Sequence, residues 1–99
     1  MNLREAEKLQ SGAIVRESFR PESDRYPVIH GLVIGKSYVK ERHNAAILGG
    51  TKEERYDVVI HWLCDDRNVP KRWINARPTN PRLQVRQNWE LMIVSHATS

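Results

Sequence analysis

The sequence predicts a mainly β domain folded as one small barrel, and three observations predict it. Five short runs rich in β-branched and aromatic residues are spread along the chain, polar loops with proline and glycine separate them, and only one segment carries the caps of a helix. The clearest run is Tyr56-Asp57-Val58-Val59-Ile60-His61-Trp62-Leu63, entered from the charged stretch 52–55 and left through the polar stretch 64–68. Its alternation places Tyr56, Val58, Ile60 and Trp62 on an apolar face and Asp57, Val59, His61 and Leu63 on a mixed one, as in an interior strand of an antiparallel sheet. At 99 residues the chain is a single domain, 1–99. Closing the sheet removes edges that so small a chain has little else to cover with.

The elements follow in order. Residues 2–10 read as a short helix, with Asn2 as cap, Glu5 three positions on as in a capping box, and Gly12 as stop. Leu3, Ala6 and Leu9 give it only a narrow apolar stripe, so it must lie against the end of the sheet or against a partner. Gly12 to Phe19 is the first strand and 20–27, with Pro21 and Pro27, a polar loop. Val28 to Gly35 is the second strand, in which Gly31 signals a bulge or bend. Residues 36–55 form a first long insertion with little regular structure, although Tyr38-Val39 could prolong the strand and 41–48 could form a short helix. Residues 64–82 form a second insertion, turn-rich after Arg77. Leu83 to Arg86 is a strand with one polar face. Trp89 to Val94 closes the barrel (12–94) with Trp89, Leu91 and Ile93 on one face, and 96–99 is a polar tail. The predicted core is Ile14, Val33, Val58, Ile60, Trp62, Leu91 and Ile93.

Composition narrows the class. With 39% hydrophobic and 28% charged residues, this is the make-up of a globular domain. No apolar run approaches the roughly 20 residues that span a bilayer, and Met1 to Lys8 lacks the apolar region of a secretory signal, so an intracellular, non-membrane protein is expected. The lone cysteine, Cys64, excludes an internal disulfide and suits a reducing compartment.

Catalysis finds little support. Cys64 would need a histidine in reach to become a nucleophile, and His61, three positions back on a strand, projects from the other face. His30, His43, His61, His96 and Cys64 lack the close spacing of zinc ligands, and Gly31 to Gly35 lacks the Lys-Ser/Thr of a phosphate loop. The expectation is a non-enzyme without a metal or other cofactor.

Charge gives the functional lead. The formal net charge is +4, and from Arg67 to Asn88 the chain has six basic residues and no acidic one. Lys71, Arg72, Trp73, Arg77, Arg82 and Arg86 are the candidate binding residues, and two readings compete for them. The arginines could follow a phosphate backbone while Trp73 stacks on a base. Alternatively they meet another protein, since Arg and Trp are enriched at interfaces; against both stands the plainer arrangement in which Trp73 and Ile74 pack into the core and the arginines form a solvated rim.

The runs Gly12-Ala13-Ile14-Val15, Gly31-Leu32-Val33-Ile34, Val58-Val59-Ile60-His61-Trp62 and Glu90-Leu91-Met92-Ile93-Val94 resemble, in that order, the small SH3-like β-barrels, including many short proteins encoded by tailed bacteriophages. Residues 36–55 stand where those barrels have a tight hairpin, and 64–88 exceed their usual connection before the closing strand. The resemblance implies an SH3-like barrel with a short N-terminal helix and two long loop insertions. It also implies a non-enzymatic protein-interaction module: a structural, assembly or accessory protein of the virion or host cytoplasm, working as an oligomer or within a larger assembly. A nucleic-acid-binding barrel using Arg67 to Trp89 is the alternative.

Overall fold

The computed structural model describes residues 1–18, 28–42 and 52–97. The strands are β1 (Ile14–Glu17), β2 (His30–Arg42), β3 (Lys52–Leu63), β4 (Leu83–Gln87) and β5 (Leu91–Ser95). Among the described residues two helices accompany them, α1 (Leu3–Lys8) and α2 (Lys71–Ala76), with 3₁₀ turns at Asp66–Asn68 and Asn88–Glu90. The strands form one antiparallel sheet in the order β4-β3-β2-β1-β5. β4 and β5, neighbours in sequence, are its two edges and do not pair, so the sheet is open where the sequence led to a closed barrel. The 3₁₀ turn Asn88–Glu90 carries the chain from one edge to the other, which the sheet permits by curling.

Strand lengths differ from expectation in an instructive way. The insertion expected over 36–55 is strand at both ends: β2 runs on to Arg42 and β3 begins at Lys52, in register from Ser37↔Asp57 to Arg42↔Lys52. Beyond Asp57 this hairpin has no β4 neighbour, and it continues as a two-stranded ribbon supported by the Tyr38–Tyr56 ring contact at 5.2 Å. Of the helix that 41–48 could form, residues 41 and 42 are strand and the remainder lies outside the described residues, as does the loop at 20–27. Nor is the stretch 64–82 without structure. Pro70, whose fixed φ suits a helix start, precedes the six residues of α2. Trp89 lies in the 3₁₀ turn rather than in the last strand, and is half-exposed.

The core follows the alternation of β3. Val58, Ile60 and Trp62 are fully buried, as are Val15, Val33 and Leu91, and Ile93 packs against them. Ile14 does not belong to this set. It pairs with Leu32 on the outer face, and Val15, one position on, points inward opposite Gly31, because neighbours on a strand take opposite faces. Gly31 is not the bulge. The register shifts between Val33 and Gly35, and Gly31 is instead the floor on which β3 rests: a Cβ there would stand 2.4 Å from Ile60 Cγ2 and 2.8 Å from Trp62 Cε3.

α1 forms as its caps foretell. The Asn2 side chain accepts from Glu5 N at 2.8 Å, and the Glu5 carboxylate accepts from Asn2 N at 3.2 Å. Six residues cannot hold alone, and two contacts anchor them. Ala6 and Leu9 are buried in the sheet's open end, and Lys36 of β2 donates from Nζ to the carbonyls of Ala6, at 2.8 Å, and Glu7, placing a cation on the helix C-terminus.

Candidate interaction site

The site is built by β4 and α2 against β3. The register Val58↔Arg86 and Ile60↔Gln84 puts Gln84 and Arg86 on the inner face with Trp62, and leaves Leu83 and Val85 facing out. The polar face of this strand therefore looks inward, with Gln84 9% and Val85 55% exposed. Burial is tolerated because the polar groups satisfy one another. Gln84 Oε1 accepts from Arg86 Nε at 3.0 Å and Nη2 at 2.8 Å, and Gln84 Nε2 donates to Pro81 O. Arg86 Nη1 reaches Glu17 Oε2, on β1, at 3.4 Å. Its guanidinium lies 5.6 Å from the Trp62 ring and 5.8 Å from the Trp73 ring, as a cation over two aromatic faces.

α2 lays Trp73 on Trp62 at 5.3 Å, with the planes tilted by 32°. Trp73 is 4% exposed, so its ring is a core group and offers no face to a base. Both indole N–H groups are buried without an acceptor among the described residues, at a cost of about 1–3 kcal/mol each. Ring packing and the Arg86 cation, rather than the indole N–H groups, therefore hold Trp73 to the sheet. Ile74, expected in the core with Trp73, is exposed.

Between α2 and β4 runs an open groove of about 440 Å³, with Trp73, Ala76 and Val85 as apolar lining and Arg72, Arg77 and Arg86 as charges. The six sequence-predicted residues divide here. Arg86 and Trp73 hold the fold. Arg82 donates from Nη1 to Cys64 O at 2.9 Å, tying the connection to the end of β3. Lys71 is exposed on α2 and does not line the groove. Arg72, 68% exposed at its side chain, touches Glu17 Oε2 at 3.6 Å, and Arg77 uses one N–H on Leu83 O at 2.8 Å. Among the described residues, these two arginines stand at the groove with most of their donors uncommitted.

The open edge of β4 is guarded. Trp62 N donates to Arg82 O at 2.8 Å, which sets the phase of the ladder: Gln84 and Arg86 bond to β3, while Leu83, Val85 and Gln87 turn their backbone groups outward. Arg77 occupies Leu83 O, Asn80 O accepts from Leu83 N, and the Glu90 carboxylate accepts from Gln87 N at 2.8 Å. Among the described residues, Val85 alone keeps an open N–H and C=O in this strand. Past the strand, Asn88 continues the ladder with its side chain, Oδ1 accepting from Tyr56 N at 3.0 Å and Nδ2 donating to Met1 O at 3.0 Å.

Glu17, Gln84, Val85, Ala76 and Asn88 were not among the sequence candidates. Charge clustering found the arginines, but no sequence signal brings Glu17 to Arg86, which lie 69 positions apart. Comparison of the chain with family models, with curated proteins and with solved structures finds no match. Among the described residues no group of three or more His, Cys, Asp or Glu is placed to hold a metal, and no helix is long and apolar enough to cross a membrane.

Proposed function

We propose that this chain is an SH3-like barrel acting as a non-enzymatic protein-interaction module, which receives a segment of a partner protein in the groove between α2 and β4. The groove itself carries the reading. It joins an apolar floor, two arginines with uncommitted donors and a strand edge whose one open position lies beside them, which are the elements of a peptide-docking surface. The curl that lets Arg86 of β4 meet Glu17 of β1 supports the barrel part of the reading, since it brings the inner faces of the two halves together. The assembly or accessory role implied by the resemblance to phage-encoded barrels belongs to the same proposal. The nucleic-acid alternative is less favoured because Trp73 is sealed against Trp62.

A photo-cross-linking residue tests this. Placed at Val85 in cells that make the protein together with its natural partners, it should give a discrete protein adduct that the same residue at Met92, on the opposite edge, does not give. Adducts to nucleic acid alone, or identical adducts from both positions, would overturn the proposal.

A further inference from the structure

Resting on that docking reading, we infer that the groove selects an extended, acidic partner segment, in which carboxylate side chains alternate with small apolar ones. The donors decide this. Arg86 is committed to Gln84 and Glu17, and among the described residues Glu17 is the one acid in contact with the groove's arginines, touching Arg72 and Arg86. Among the described residues the groove carries more positive than negative charge, and Arg72 and Arg77 keep most of their donors uncommitted. A guanidinium presents five N–H donors in a fork that matches a carboxylate, and Arg77 uses one of them on Leu83 O. Glu17 Oε2, 3.6 Å from Arg72 and 3.4 Å from Arg86, shows one carboxylate oxygen held between two of these cations within the molecule.

Shape decides the rest. The Val85 N–H can donate to, and its C=O accept from, a chain lying along β4, as one reciprocal pair of backbone hydrogen bonds, and Arg77 and Glu90 cap its neighbours, so the pairing is short. A strand seated there turns alternate side chains toward the groove. The acidic ones meet Arg72 and Arg77, and the small apolar ones between them turn to the opposite face of the strand, clear of the arginines. A nucleic acid would bring the charge, yet it would find no exposed ring in the groove and could not use the Val85 backbone pair.

The test is fluorescence polarisation of the full chain at about 50 and 200 mM salt with labelled peptides of about ten residues, glutamate alternating with valine and serine, and the same peptide with glutamine for glutamate. The glutamate peptide should bind at micromolar concentration and weaken with salt, while the glutamine peptide and an Arg72→Ala/Arg77→Ala variant bind at least about tenfold more weakly. Arg72→Ala alone, at an exposed position outside the core, should give a partial loss even if the double variant fails to fold. Equal affinity for the two peptides, or a glutamate peptide indifferent to both variants, overturns the inference. So does a thymidine oligonucleotide of equal length that binds more tightly than the glutamate peptide and is lost in the variants. If the glutamate peptide fails while a protein still cross-links through position 85, only the specificity falls. If no protein cross-links, docking itself falls.

Discussion

Asn88 shows how much one side chain can carry. It is 4% exposed and stands in for a strand residue, joining Tyr56 N to Met1 O. Asn88→Ala leaves a half-buried backbone donor and acceptor without this partner, and should lower the unfolding free energy by about 1–3 kcal/mol in urea melts. Gly31 is a residue-scale constraint of another kind. Because its missing Cβ is filled by Ile60 and Trp62, Gly31→Ala should destabilise by about 1–3 kcal/mol, whereas Gly35→Ala, with open space around it, should change little; thermal melts of the pair decide it. The sequence marked Gly31 as unusual but not why. Glycine in a strand signals a bend or a close approach, and only the neighbour across the ladder separates the two. The inward polar face of β4 was equally hidden. Alternation in Leu83-Gln84-Val85-Arg86 fixes the period of the strand but not which side faces the core, and that side is set by Trp62, Trp73 and Glu17, none of them local.

At the scale of elements, what was legible had local causes. The capping box of α1, the alternation of β3 and the closing Leu91-Met92-Ile93 follow from neighbours a few residues apart, and their structure agrees. What was missed depends on long-range support. β2 and β3 outrun their predicted lengths because each pairs with the other, so charged residues such as Lys40 and Glu54, with nitrogen and oxygen 3.9 Å apart, sit in strands that their composition disfavours. α2 is too short to announce itself by periodicity and is held by one tryptophan. For α1, the anchor is Lys36. Lys36→Met removes the two bonds to the helix C-terminus while keeping most of the stem, so amide exchange at Ala6 and Leu9 should accelerate at least about fivefold, as a local loss of roughly 1 kcal/mol requires. Unchanged exchange there would mean that burial of Ala6 and Leu9 alone holds the helix.

Across the whole molecule, a cluster that the sequence presents as uniform splits into two functions. The stretch from Arg67 to Asn88 reads as one basic patch, yet Arg86 works inside the fold, bridging the two halves of the sheet through Glu17 and covering both tryptophans, while Arg72 and Arg77 stand at the groove. The docking proposal depends on this division, because a partner can recruit only those cations that the fold does not need. Urea denaturation of three single variants, Arg72→Ala, Arg77→Ala and Arg86→Ala, tests it most directly. Arg86→Ala removes one partner of Glu17 and uncovers two indoles, and should cost about 2–4 kcal/mol. Arg72→Ala should cost less than about 0.5 kcal/mol at its exposed position, and Arg77→Ala about 1 kcal/mol for the bond to Leu83 O. Three equal losses, or a large loss for Arg72→Ala beside a small one for Arg86→Ala, would contradict the account.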